Sequence, residues 1–439
     1  YSGHKLSEIW RYCRLTWSME YKTNPGRSIR ILIRNKARHG HPVIGIAMLA
    51  SPVIALTSRD DFIGTTYEPF LLFLKDAKIS LHNLVSMMEE TFKAEKKLIM
   101  KKALESSKNK SASKEQLMNI IETAQKAREE ALANKDEKLA EDLLFRSKRA
   151  IKLSKLEDSL KDLKLLKSQI KSDKLKLKDV DQNSYFIALV KKYLTQKRAD
   201  VISTDIMDVS VCGAIFPYNS LLTGKLTALL MSSTEVKNFV DQKYKDSLNI
   251  ISTKMAGRKV SKPTNLVGLT TTSLFGVGSS QYNRLKLTNI NSDIKNDINW
   301  QELASTKGYG TFHFSKRTKN LAAQIDFKKN KFQHVNYKFG EGASPALRRI
   351  KEGLKEIGFD QEVIKHEYKR KTYFCDLSKN IKKEIFLKRS KNLKLNSASN
   401  IFVAWQKRFF DKRIQNDGLI DAIEKLKKED FKLSSKIKK

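Results

Sequence analysis

Residues whose types and spacing suit chemistry fall in five places in this chain of 439 residues. The first is "TTTSLFGVGSSQYNRLKL" (270–287). Glycines after a strand can cradle phosphate with backbone N–H groups. Gly276 and Gly278 lack the third glycine of a dinucleotide fingerprint, however, and no helix pattern follows them. The polar residues behind them suit a nucleic-acid surface better. Ser279, Ser280, Gln281 and Asn283 offer hydrogen bonds to phosphates or base edges, Tyr282 offers a ring to stack, and Arg284 and Lys286 offer charge. A bulge with a polar rim is the structural alternative. The second place is "PYNSLLTGKLTALL" (217–230), where Gly224 precedes a helix and Lys225 adds charge. A helix N-terminus attracts phosphate, but the P-loop spacing is absent, and a turn packed onto a helix explains the same residues.

The third is "RDDFIG" (59–64). Asp60 and Asp61 could hold a magnesium ion, but adjacent side chains point apart in regular structure, and an Arg59–Asp60 pair at a turn is the simpler reading. The fourth is His39 and His41, with no third ligand near them, so no metal site is expected; a carboxylate-held magnesium leaves little local trace. The fifth is "PGRSIRILIRNKARHGHP" (25–42), which gathers Arg27, Arg30, Arg34 and Arg38 on one side whether it is a strand or a helix. Its β-branched residues favour the strand.

Strands and helices must position these groups. "PVIGIAML" (42–49), "MDVSVCGAI" (207–215), "NLVGLTTTSLFG" (265–276) and "GYGTFHF" (308–314) read as further strands, and 217–233 as a turn and an amphipathic helix. The 267–287 stretch reads as a hairpin-like strand–turn–strand. Residues 76–178 lack proline and glycine and are rich in Lys, Glu, Leu and Ala, which predicts helices. Ser113 with Gln116 makes a capping box after a break at 107–113. Leu153, Leu156, Leu160, Leu163 and Ile170 form a coiled-coil-like stripe that Lys167 interrupts. In 339–358 the pattern predicts a loop and a helix, with Ser344 as N-cap, Pro345 in the first turn and Gly358 as the stop. No internal repeat is found.

Composition narrows the partner. There are 85 Lys and Arg against 48 Asp and Glu, a net charge of +37. Such an excess suits a polyanion, nucleic acid before a membrane surface, because no long uncharged apolar stretch exists. Residues 145–178 carry 12 Lys and Arg against 4 Asp and Glu, and 369–439 carry 21 against 8. Within that tail "NIFVAWQKRFFDKRI" (400–414) is apolar enough to dock. Cys13, Cys212 and Cys375 are far apart, which argues against a disulfide framework and suits a reducing cytoplasm. The chain starts at Tyr1 without Met, so its true start is expected upstream; no signal peptide is recognisable.

Together the motifs resemble one family. "GRSIRILIRNKARHGHPVIGIAMLAS", "RDDFIG", "CGAIFPYNSLLTGKLTALLMSSTEV", "TTTSLFGVGSSQYNRLKL", "GYGTFHFS" and "VNYKFGEGASPALRRI" occur in the order seen in the DruA family of the Druantia anti-phage systems. The resemblance implies antiviral defence and a large helicase-like protein as operon partner; it supplies no catalytic residues. A strand, "PYNSLLTGKLTALL", a strand and a Tyr-Asn segment also look, more distantly, like the second half of a GNAT-type acyltransferase fold. That similarity implies a loop of Leu222, Thr223, Gly224 and Lys225 facing the pyrophosphate of acyl-CoA, although Leu226 stands where a second small residue belongs.

The expected architecture is an α+β fold with a mixed sheet: 1–75 the N-terminal part of the core, 76–180 a helical insertion, 181–358 the main core and 359–439 a basic helical extension. The expected function is nucleic-acid binding, DNA favoured, by Arg30, Arg34, Ser279, Ser280, Gln281, Tyr282, Asn283, Arg284, Lys286, Lys316, Arg317, Arg348 and Arg349. Gly224 and Lys225 are the candidate cofactor residues, and the cofactor itself is unknown. The alternatives are an acyl- or nucleotidyl-type transferase or a metal-dependent nuclease in the same system, and a scaffold whose helical insertion recruits a partner.

Overall fold

Alternating isoleucine and arginine make Ser28–Arg34 a strand, β1: Ile29, Ile31 and Ile33 turn to one core, while Arg30 lies on the other face over Trp10. β1 pairs antiparallel with β2 (Val43–Ala50). β2 is apolar throughout because both of its faces are covered. Ala47 and Leu49 join the core of Ile29, and Ile46, Met48 and Ala50 pack with Trp10 and Cys13 of the first helix, α1 (Leu6–Leu15). The computed structural model describes residues 3, 5–17, 26–103, 113–172, 180–273, 280–288, 296–306, 308, 314–329, 345–366, 368–387, 393–427 and 430 of the chain.

Five more strands complete a mixed sheet: β3 (Ile206–Ala214), β4 (Gly268–Thr272), β5 (Lys286–Leu287), β6 (Ile298–Glu302) and β7 (Thr372–Asp376). Their order is β1-β2-β3-β4-β7-β6-β5. Every neighbouring pair is antiparallel except β3 and β4. A parallel pair needs a long crossover, and helices supply it here. The hairpin-like reading of 267–287 is corrected: β4 lies between β3 and β7, and β5 pairs with β6 at the far edge. Residues 281–284 form a turn, closed by Asn283 N–H on the Ser280 carbonyl and Leu285 N–H on the Tyr282 carbonyl, so only Lys286–Leu287 stay extended. Most of "GYGTFHF", like Ser279 and the Ser344 cap, lies outside the described residues.

Helices cover both faces. On one face, α2 (Thr57–Phe62), α3 (Tyr67–Asp76), α4 (Leu81–Ala103), α5 (Lys114–Ala133), α6 (Glu137–Lys171) and α7 (Ser184–Thr204) follow one another. The expected capping box starts α5: Ser113 Oγ accepts from Gln116 N–H, and Gln116 Oε1 accepts from Ser113 N–H. Leu153, Leu156 and Leu163 of α6 are buried, and Leu160 and Ile170 pack against the same core. That core also takes Phe70 of α3, Met88 of α4, Tyr193 of α7 and Ile206, Val267 and Phe374 from the sheet side. The lysine that interrupts the stripe pairs across to α4, Lys167 with Glu89, as Lys152 does with Glu95. Lys167 and Lys93 hold the Glu89 carboxyl down at about 2.

On the other face the crossover runs through α8 (Asn219–Leu222), α9 (Lys225–Leu230) and α10 (Thr234–Tyr244), and α11 (Ile250–Ala256) then returns to the helical side, where Met255 packs against the core of α4 and α6. The amphipathic helix expected over 217–233 is thus broken in two, at Thr223 (φ +49°) and Gly224. Beyond the sheet, α12 (Lys316–Lys329) and α13 (Pro345–Glu356) share a small core of Ala322, Ile350 and Leu354. Gly358 (φ +86°) stops α13 as expected, with Phe359 N–H on the Leu354 carbonyl and Gly358 N–H on the Lys355 carbonyl. After β7 come α14 (Ile381–Phe386) and α15 (Ala398–Trp405). Ser397 caps α15, and Ile401 and Trp405 sink into the core beneath α9. The tail's apolar segment therefore docks on its own chain. It continues through a π-helical turn (Gln406–Phe410) into α16 (Asp411–Arg413), followed by α17 (Asp417–Glu424).

"RDDFIG" is a structural pin. Arg59 is fully buried; it donates to Asp60 Oδ1 (2.7 and 3.0 Å) and to the carbonyls of Val53 (2.7 Å) and Ile54 (2.9 Å). Asp60 Oδ2 accepts from Leu56 N–H at 3.0 Å and faces Arg198 at 3.6 Å. Near this pair burial raises the Asp208 carboxyl to about 7, against the pull of Arg59. Its pKa in the unfolded chain is about 3.9, so folding takes up a proton between these values, and stability falls as pH rises from about 4 to about 7. Asp208→Asn removes that penalty. The variant is expected to be more stable than the parent by on the order of 4 kcal/mol at pH 8 and by about a third of that at pH 5, measured by urea unfolding. A difference independent of pH would contradict this assignment.

Candidate nucleic-acid interface

The site begins where β3 and β4 part. Their pairing covers only Ile206–Asp208 against Gly268–Thr270, while β3 continues to Ala214. The β3 carbonyls beyond must find other donors. Thr271 Oγ1 serves Val209 (2.8 Å), and Gln281 Nε2 serves Cys212 (3.1 Å). The 280–284 turn therefore plugs the opening between the strands. Tyr282 is 5% exposed and packs on Trp300 and Tyr373, with ring centroids 4.8 and 5.4 Å away. Its hydroxyl bonds to the Cys212 thiol and to the side chains of Gln281 and Thr271. Tyr373 Oη donates to Asn283 Oδ1 at 2.5 Å, and Ser280 Oγ accepts from Tyr282 N–H. Burial pushes the Cys212 thiol up to about 12 and the Tyr282 hydroxyl well above its usual value, so neither is a ready nucleophile.

The plug faces the α8–α9 junction. An ideal Cβ at Gly224 would lie 1.4 Å from Gln281 Oε1, so only glycine admits Gln281 there. Lys225 Nζ donates to the carbonyls of Asn283 (3.1 Å) and Gln281 (3.3 Å), which leaves one N–H of the ammonium for another partner. The space in front of Gly224, where the cofactor expectation puts a pyrophosphate, holds the side chain of the chain's own Gln281. Tyr282 is corrected, because its ring is core and is not offered to a base.

What the junction gathers is positive charge. Burial, with Arg408 and then Arg284 nearby, lowers the Lys225 pKa. Lys225 and Arg408 both lie over the Phe409 ring, 5.5 and 5.3 Å from its centre. Arg413 Nε donates to the Ser220 carbonyl of α8 at 2.7 Å and so ties the tail to the junction. A cavity of about 300 Å³ beside Phe409 is lined by Lys412, Arg413, Asn416 and Leu419, with no carboxylate in its wall. Arg284 and Arg408 are exposed, and neither has a carboxylate partner among the described residues. Arg284 also holds φ +54°, a left-handed conformation that costs a non-glycine residue about 1 kcal/mol.

The structure thus brings together Gly224, Lys225, Ser280, Gln281, Asn283 and Arg284, with Lys286 exposed on the adjoining β5. It keeps others apart. Arg30 is on the opposite edge strand, and Arg34 donates to the carbonyls of Gly40 and His41, bracing its own turn. Lys316 and Arg317 are exposed at the start of α12, and Arg348 and Arg349 are half-buried on α13. Reading by motif misses Arg408, Phe409 and Arg413. Their signal is the apolar spacing Ile401, Trp405 and Phe409 inside a basic tail, which predicts docking but not where.

Gly224 and Gln281 act on one contact, which makes their substitution effects interdependent. Gly224→Ala and Gln281→Ala should each cost about 1–3 kcal/mol, since each leaves the Cys212 carbonyl without its donor. The double variant should lose clearly less than the sum in urea unfolding. Strictly additive losses would show that Gln281 does not hold the wedge.

Comparison with known proteins agrees with the motif resemblance. A family model described as Druantia protein DruA matches residues 2–85 and 170–388. The matched blocks take in β1 to β7 and leave out most of α4–α6 and the tail that carries Arg408. A Druantia protein DruA from Escherichia coli (strain UMEA 4076-1) is 33% identical over 179 residues, 40% of this chain and 40% of that protein. The chain thus aligns with well under two thirds of that relative's length. No solved structure matches. With more than half of its residues under the family model, the chain belongs to the DruA family of anti-phage defence proteins.

Proposed function

We propose that this protein acts in anti-phage defence by binding nucleic acid, DNA in particular, and that it works beside a helicase-like protein of the same system in the cytoplasm. The observation that carries the reading is the convergence of Lys225, Arg284 and Arg408 at the plugged end of β3, in a chain of net charge +37. Like charges held together raise the free energy of the free protein, and a bound polyanion relieves it. Guanidinium groups suit phosphate oxygens because they can donate two parallel hydrogen bonds. Two backbone features point the same way: Arg284 keeps a conformation that glycine would adopt more cheaply, and a π-helical turn, often found at working sites, presents Arg408 and Phe409. Among the described residues no helix is long and apolar enough to cross a membrane.

The contacts read as phosphate-backbone contacts, so binding should weaken steeply with salt. Charge reversal at both exposed arginines, Arg284→Glu with Arg408→Glu, should weaken binding to a DNA oligonucleotide by about tenfold or more and reduce the slope of log K against log salt by about 2. Filter binding across a salt series measures both. Failure of the parent protein to retain DNA or RNA at about 50 mM salt would sink the reading, and an unchanged slope in the double variant would sink this site.

A further inference from the structure

A cavity adjoins the cationic cluster at the α8–α9 junction, and the tail builds its wall. Ile401 and Trp405 of α15 are buried beneath α9. In an unbroken α-helix the residue four after Trp405 would extend that buried stripe. The π-helical turn Gln406–Phe410 changes the spacing: Phe410, five residues on, packs its ring on Trp405, with 5.4 Å between centres. Phe409 is left half-buried, with Lys225 and Arg408 over its ring. It also lines the cavity of about 300 Å³ that Lys412, Arg413, Asn416 and Leu419 complete. Arg413 Nε is bound to the Ser220 carbonyl, and its terminal N–H groups have no acceptor among the described residues. Asn416 Oδ1 caps α17 by accepting from Leu419 N–H at 3.1 Å, and its side-chain N–H groups likewise have no acceptor among the described residues.

We propose that this cavity receives a nucleobase of an unpaired strand whose phosphates lie on the Lys225–Arg284–Arg408 cluster, so that the protein selects single-stranded over duplex DNA. The proposal rests on the nucleic-acid reading of that cluster and adds which form of the polymer fits it. The wall combines the surfaces a base needs. Phe409 and Leu419 offer apolar area to a ring face, the Arg413 guanidinium offers a plane, and Asn416 offers N–H donors to acceptors on a base edge. A phosphate set against Phe409 and Leu419 would lose water on that side with no donor to replace it. The volume is at the lower end of small-molecule sites and far below what a duplex needs. Phe409 belongs to both places, since Lys225 and Arg408 lie over its ring and it lines the cavity, so phosphate and base are offered adjoining seats. In a duplex the bases are stacked and paired inside, and extruding one costs unstacking and unpairing. Seating one base on an aromatic ring gains about tenfold in affinity. That gain does not offset the cost of extrusion, but it adds in full for a strand already unpaired.

The test uses the full chain and three DNA ligands of about 12 nucleotides: a single strand, the duplex of that strand, and a strand of stable abasic nucleotides, which keeps the phosphates and lacks the bases. Fluorescence anisotropy at one salt concentration gives the three affinities. The parent is expected to hold the single strand about tenfold more tightly than the abasic strand, and more tightly than the duplex. Phe409→Leu and Arg413→Lys both keep the net charge, so the ratio of single-strand to abasic affinity should fall toward one in each. Arg413 is exposed, so its variant tests the wall even if Phe409→Leu fails to fold. A ratio near one in the parent, a duplex held as tightly as the single strand, or a ratio that the folded variants retain would overturn the proposal. The nucleic-acid reading stands in those cases as long as the strands bind; no binding of any of the three removes both. Displacement of the single strand by an equal concentration of 5′-dAMP would overturn the assignment to a strand, because a free nucleotide lacks the neighbouring phosphates.

Discussion

Parallel pairing between β3 and β4 stops after three residues, and the candidate site follows from how the chain fills the gap beyond. Buried carbonyls cannot be left without donors at small cost, so the divergence demands polar side chains at fixed heights. Thr271 and Gln281 meet that demand at Val209 and Cys212. Gln281 can reach Cys212 only past a residue without a Cβ, which accounts for Gly224. Asn283 is fixed by Tyr373, and the next residue is then Arg284 in its left-handed conformation beside Lys225. One local backbone requirement thus ties two distant motifs and places a pair of cations at the surface.

Charge in this molecule has two fates. In the helical body lysines are answered by carboxylates: Lys152 by Glu95, Lys167 by Glu89 and Lys96 by Glu157. Inside the core, Arg59 is matched by Asp60, and Arg27 donates to the carbonyls of Ile202, Thr204 and Ile206 where α7 passes into β3. Burial lowers the Arg27 pKa to about 10, so it stays charged there and caps the helix end. At the α8–α9 junction the cations lack such answers among the described residues. A high net charge says only that a polyanion is favoured; the contrast between answered and unanswered cations says where.

How much of this was legible in the residues differs by element. The period-2 pattern of "SIRILIR" and the unbroken apolar run of β2 made both strands readable, because each is a local consequence of which faces are covered. Ser113–Gln116 and Gly358 marked helix ends by chemistry that acts within one turn. "SSQYNRLKL" also alternates, yet its residues 281–284 form a turn. Its Gln281 answers the Cys212 carbonyl on a strand about seventy positions away, and no local pattern records that demand. Tyr282 looked like a surface ring for the same reason: a tyrosine among serine and asparagine reads as exposed unless its neighbours Trp300 and Tyr373 are known.

The sequence by itself determined the class of the fold, the helical composition of 76–178, the strands β1 and β2, the helix ends at Ser113 and Gly358, the excess of positive charge and the family, since all of these reside in local pattern, composition and motif order. Tertiary structure alone decided that "RDDFIG" is a buried pin, that Gly224 admits a glutamine, and that the tail brings Arg408 and Phe409 to Lys225 and Arg284. The physical reason is separation along the chain. These outcomes depend on carbonyls left open by a diverging strand pair and on an apolar helix face seeking cover, and both are satisfied by residues tens to hundreds of positions away.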